Sequence, residues 1–118
     1  RAIPTYEAAA LATLLQILTA QSRLAEIETV ADAAEALLGR AAGLGHNELK
    51  LRVSLAEARR AGANPAAFAR NLQQALQALR QSTQQIPEAE GRELFLTCVG
   101  ENARLLALAD LTPAQLLD

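Results

Sequence analysis

The sequence predicts an all-α chain of five to six antiparallel helices, and two observations carry that expectation. Ala and Leu together make up roughly two-fifths of the 118 residues; both rank among the strongest helix formers, while β-branched residues are sparse. A turn signature also recurs three times between apolar-periodic segments: Ser22-Arg23-Leu24-Ala25-Glu26-Ile27, Gly62-Ala63-Asn64-Pro65-Ala66-Ala67 and Ala109-Asp110-Leu111-Thr112-Pro113-Ala114. Each copy starts on a small residue, has a polar or capping residue close behind it, and carries a small or apolar residue five places on. The pattern reads as helical hairpins, stacked or bundled, in one domain spanning residues 1–118.

Pro4 fits the first turn of a helix, where its missing N–H costs nothing. That helix runs to about Ala20 with Leu11, Leu14, Leu15 and Leu18 on one face. Ser22 is the expected N-cap of a second helix, whose stripe is Leu24, Ile27, Ala31, Ala34 and Leu38 at a 3.6-residue period. The glycine cluster from Gly39 to Gly45 ends it. Asn47 is expected to cap a third helix reaching Ala61. Leu51, Leu55 and Ala58 lie on one of its faces and Leu49, Val53 and Ala56 on another, so it should sit between neighbours.

Asn64 followed by Pro65 is the clearest helix start: a capping side chain, then Pro at the first helical position. The fourth helix carries Phe68, Leu72, Ala75, Leu76 and Leu79 inward. Its opposite face holds Gln73, Gln74, Gln77, Gln81, Gln84 and Gln85, polar and almost uncharged. This is either a solvated surface or a glutamine-rich contact face for another helix. Ile86-Pro87 breaks the pattern. A fifth helix is expected from about Glu88 to Leu108, with Leu94, Phe95, Cys98, Val99, Leu105 and Leu106. Thr112-Pro113-Ala114-Gln115 forms a capping box that opens a last helix, cut short at Asp118. Aromatics are only 3% of the chain, so Tyr6, Phe68 and Phe95 are expected as the bulky anchors of thin Ala/Leu layers.

The three turns resemble the hairpin turns of the tetratricopeptide repeat family and its degenerate relatives in large bacterial regulators. In that family a small residue is followed two places on by Tyr or Leu and five places on by Ala. Ser22, Leu24 and Ile27 match in outline, as do Gly62 and Ala67, and Ala109, Leu111 and Ala114 match best. The layer positions of the preceding helices are Leu11, Leu15 and Leu18, then Leu51, Leu55 and Ala58, then Cys98, Asn102 and Leu105. Ser22, Gly62 and Ala109 lie farther apart than the family's repeat of about 34 residues, and the family's large aromatics on the first helix are missing. The resemblance implies a stack of hairpins that binds other proteins.

A second likeness is to the dimerisation helices of one histidine-kinase subfamily. It rests on Leu44-Gly45-His46, the Leu49-to-Arg60 helix and Asn64-Pro65. That family's phospho-accepting position falls on Ala41, which excludes phosphotransfer by that route and leaves a dimerising hairpin.

Little else points to chemistry. His46, the sole histidine, sits in a Gly-Leu-Gly-His-Asn loop with no second ligand clustered by it, so an exposed or capping role is expected. Cys98 lies among apolar residues and is expected as a buried small hydrophobe. Being alone it forms no internal disulfide, which fits a reducing, cytoplasmic setting. The net charge is −2, and Lys50, Arg52, Arg59 and Arg60 make only one helix locally basic, so nucleic acid is not an expected partner. Glu26, Glu28, Asp32 and Glu35 stud the second helix as candidate ion partners for that basic helix, with Glu48 and Arg52 an i,i+4 pair. The glycines at 39, 43 and 45 lack the Lys-Ser/Thr of a phosphate loop. No apolar run approaches the ~18 residues of a membrane span, and no signal-peptide pattern is visible.

The sequence therefore points to a non-catalytic protein–protein interaction module without cofactor or metal, with Arg52, Arg59, Gln73, Gln77 and Arg80 as exposed partner contacts. The partner is another protein or another domain of the same chain. The alternative is a homodimerising helical bundle serving as a signalling or structural scaffold. The start at Arg1 without Met and the end inside a helix lead us to expect a segment of a longer bacterial protein.

Overall fold

The computed structural model describes residues 3–118 and, among them, seven helices and no strand. These are α1 (Pro4–Ala20), α2 (Leu24–Arg40), α3 (His46–Ala61), α4 (Pro65–Gln84), α5 (Ala89–Cys98), α6 (Gly100–Ala109) and α7 (Pro113–Leu117). The all-α expectation holds, with one helix more than the upper expected count.

The extra helix comes from a break where one fifth helix was expected. Val99 is extended, with φ −82° and ψ 117°, next to Gly100, a poor helix former. The break takes Phe95 O out of the helical ladder, and Asn102 Nδ2 donates to it at 3.0 Å. A side chain of α6 thus closes the gap left in the backbone of α5.

Two of the expected caps form as the sequence suggests. Asn64 Oδ1 accepts from the Ala67 N–H at 3.1 Å, and Thr112 exchanges bonds with Gln115 in a complete capping box. Two do not. Ser22 lies in the left-handed region at φ 55° and closes the α1 turn, with Ser22 N–H donating to Thr19 O and Arg23 N–H to Leu18 O. Arg23 takes the cap position, and no side chain caps α2. Gly45 likewise precedes α3 at φ 62°, ψ −140°, while Asn47 sits inside the helix and donates to Thr5 O at 3.4 Å.

α3 is the spine of the molecule. It packs against α1, α2, α4 and α6, and its two apolar faces serve two cores. Leu51, Leu55 and Ala58 join Ala8, Ala12 and Leu15 of α1 and Ile27, Ala31 and Leu37 of α2. Val53 joins Ala75 and Leu79 of α4, Leu96 of α5, Leu105 and Leu106 of α6 and Leu116 of α7. Small side chains at Ala8, Ala12, Ala31, Ala34 and Ala58, all with no exposed surface, fill the first core in thin layers. No aromatic residue belongs to its buried set.

The expected anchors are corrected accordingly. Tyr6 is 72% exposed, and Phe68 and Phe95 are half-buried. Leu14, Leu24 and Leu94 of the expected stripes are exposed. In α1 the buried row is Ala8, Ala12, Leu15 and Leu18, a four-, three-, three-residue spacing that leaves Leu14 on the outer edge. Cys98, expected to be buried, is exposed, because two residues beyond Leu96, the buried residue of α5, it falls on the opposite face of the helix.

Candidate functional site

Two adjoining hollows run across the face formed by α3 and α4. The first, of about 280 Å³, lies between the C-terminal part of α2, the middle of α3 and α4, where Glu35, Leu38, Arg52, Gln74 and Gln77 line it. The second, of about 390 Å³, lies between the start of α3, the end of α4 and the α5–α6 break, with His46, Leu49, Gln85, Phe95, Glu101 and Asn102 along its walls. Glu48, Ala78 and Gln81 line both, which joins them into one groove.

Helical periodicity builds this groove. Ala75 and Leu79 point into the core. Gln74, Gln77 and Gln81, three and four residues apart, therefore share one edge of α4, and Gln85 continues the row past its end. Gln16, Gln21 and Gln115 are the hydrogen-bonded glutamines among the described residues, so the amides of the α4 row are uncommitted. Arg52 Nε donates to Glu48 Oε2 at 3.1 Å, the i,i+4 pair expected from the sequence. Glu48 lines both hollows, whereas Arg52 lines the first alone.

Of the five residues expected as partner contacts, Arg52 and Gln77 are brought together in this groove. Gln73 is exposed on α4 outside it. Arg80 is half-buried and donates from Nε to Leu116 O at 2.7 Å, which ties α7 to α4. Arg59, expected to be exposed, is corrected: it is 2% exposed, the largest fully buried side chain of the molecule's described residues.

The physical reason is a row of carboxylates on α2. Glu28, Asp32 and Glu35 recur at four- and three-residue spacing and so share one helix face. The Arg59 guanidinium reaches Glu28 at 2.8 Å and Asp32 at 3.0 Å, pairs with Glu35, and donates from Nε to Asn71 Oδ1 at 3.2 Å. Arg70 of α4 closes on Glu35 from the far side at 3.0 Å. The acidic face of α2 was read as a partner for the basic helix, and for these three residues it is one; Glu26 pairs instead with Arg23.

Burial, the largest single influence on Glu35, raises its carboxyl. Hydrogen bonds from Arg70 and Arg59, together with their charges, outweigh it and hold Glu35 below the usual carboxylate value. Burial likewise favours a neutral Arg59, but the bonds to Asp32 and Glu35 and the charges of Glu35 and Glu28 hold its guanidinium above its ordinary value. Glu28 Oε1 and Asn71 Nδ2 are buried without a partner among the described residues, so the cluster is held by Arg59 without being saturated.

His46 is exposed at the first turn of α3 on the rim of the second hollow. Among the described residues no group of three His, Cys, Asp or Glu side chains is placed to hold a metal ion, and no helix is long and apolar enough to cross a membrane. The recess around Phe95, Glu101 and Asn102 was missed by the sequence reading, because it exists only through the break at Val99. Gly100 was its one signal. Comparison with protein-family models, with curated proteins and with solved structures gives no match.

Proposed function

We propose that this chain is a non-catalytic protein–protein interaction module of stacked helical hairpins, working inside a larger bacterial regulator or scaffold and binding its partner along the α3–α4 groove. The observation that carries the reading is the row of uncommitted glutamine amides beside the Glu48–Arg52 pair. Such a surface is open and polar, with donors and acceptors that no bond among the described residues satisfies. The packing order supports the stack, since α3 leans on both helices of the preceding hairpin and on α6 of the next. The partner is another protein or another domain of the same polypeptide.

A specific observation favours a second reading, the self-associating bundle. Ile3, Tyr6, Leu14, Ile17 and Leu24 are exposed large apolar residues gathered on or beside α1, and solvent-exposed apolar groups in one place mark contact surfaces.

Photo-crosslinking separates the two. A photoreactive residue at position 77, in the protein expressed in its own cells, should give a discrete adduct with a different protein or domain. The same residue at 84, exposed on α4 outside the groove, should give none, and Arg52→Ala should diminish the adduct. Adducts from position 17 alone, at the mass of two copies, would replace the groove reading with self-association.

A further inference from the structure

The second hollow carries more specific chemistry than the first. Glu48 and Glu101 line it, and among the described residues no lysine or arginine does. Glu48 shares its charge with Arg52 outside the hollow, whereas Glu101 makes no ion pair among the described residues. Asn102, on the same wall, is 1% exposed. Its Nδ2 is committed to Phe95 O, and its Oδ1 is a buried acceptor with no donor among the described residues. Buried acceptors in folded proteins nearly always find a donor. Asn102 and the aromatic Phe95 both line this hollow, and an aromatic ring attracts cations over its face.

The glutamine row supplies a second, independent constraint. At a rise of about 1.5 Å per residue, Gln77, Gln81 and Gln85 are spaced roughly 6 Å apart along α4. An extended chain repeats its outward-facing peptide groups every two residues, or about 6.6 Å. Each glutamine offers both an N–H donor and a carbonyl acceptor, matching a peptide main chain without reading its side chains.

We propose that the groove holds an extended segment of a partner protein, with its main chain on the Gln77–Gln81–Gln85 row and one arginine or lysine side chain seated in the hollow between Phe95, Glu101 and Asn102. This rests on the interaction-module reading and names the chemistry of the segment that module takes. Glu101 provides the counter-charge, Asn102 Oδ1 takes a donated N–H, and Phe95 covers the alkyl stem and the cation. The glutamines set the direction and register of the chain, and the seat selects for a basic residue.

The test is a nuclear magnetic resonance titration of the 118-residue chain with N-acetyl-arginine N-methylamide. Its neutral isostere, N-acetyl-citrulline N-methylamide, runs in parallel. We expect the arginine probe to shift the amide signals of His46, Gln81, Phe95 and Glu101 in one saturating curve, and the citrulline probe to bind there at least about threefold more weakly. Glu101→Gln, on a half-exposed side chain with no structural bond to lose, should weaken the arginine probe by a similar factor and leave the citrulline probe unchanged. Equal binding of the two probes in the groove, or indifference to Glu101→Gln, overturns the basic seat while the groove reading stands. If neither probe moves groove signals, or the arginine probe moves only other acidic surfaces such as Glu88, Glu90 and Glu93, the groove reading falls with it.

Discussion

At the scale of single residues, the side chain that most shapes this molecule is Arg59. It gathers three carboxylates of one helix and an asparagine of another around one guanidinium. Removing one partner of a buried ion pair leaves the others uncompensated, at a cost of about 3 kcal/mol or more for fully buried groups. Asp32 is 75% exposed and Glu28 38%, so solvent takes up part of that cost. We expect Arg59→Ala to destabilise the fold by about 2–3 kcal/mol in urea unfolding, and Arg59→Lys to recover only part, because a point charge cannot fork between three acceptors.

Glu35 adds a pH dependence whose sign follows from its lowered value. Folding then favours the ionised carboxylate. Its stabilisation is present above the ordinary value of about 4.3 and is lost as the pH falls below that through the lowered folded value. Melting temperatures measured from pH 7 to pH 3 should hold in the upper range and drop in the acid range. Arg70→Gln, which removes one of Glu35's two partners, should make that acid drop shallower. The ion partners were legible in the sequence, because Glu28, Asp32 and Glu35 fall on one face of α2 and a basic helix follows. The burial of Arg59 was not. It depends on α2 and α4 both closing over the same turn of α3, and no spacing within one helix encodes that.

At the scale of helices, starts and stops were legible where a side chain makes the bond and illegible where the backbone does. Asn64 and Thr112 cap as read, since a short polar side chain ahead of Pro has one favourable use. Ser22 and Asn47 have the same chemistry, yet the tight turns at those places put Ser22 in the left-handed region and give the α3 start to Gly45. The break at Val99 was hidden because apolar residues stand on both sides of it, Leu94 to Leu96 before and Leu105 and Leu106 after, and periodicity alone does not register one extended residue. Gly45 is the position where backbone conformation decides most. With φ 62° and ψ −140°, it occupies a region essentially confined to glycine. Gly45→Ala should cost about 1–3 kcal/mol in the same unfolding assay, although nothing stands within 4 Å of the added methyl. Gly39→Ala, in equally open space but helical, should cost nothing or stabilise slightly.

For the molecule as a whole, α3 divides the interior into two cores and leaves two surfaces of opposite character. One is the glutamine-lined groove over α3 and α4. The other is the apolar exterior of α1, with Tyr6 and Ile17 standing in solvent. The two faces of α3 were legible as Leu51, Leu55 and Ala58 against Leu49 and Val53. The groove was legible only as its glutamine edge, because its far wall comes from the α5–α6 break. The outer face of α1 was misread as inward-facing at Leu14, since a helix with so few charges gives no polar stripe to mark its solvent side.

Which surface the chain works through is decided by its solution mass, measured by light scattering after size exclusion over a tenfold concentration range. With the groove as the working surface, we expect a steady 12.5 kDa, unchanged by Ile17→Glu. A mass that climbs to twice that value with concentration, and falls back in Ile17→Glu but not in Gln77→Glu, would contradict the groove and place the function on the outer face of α1.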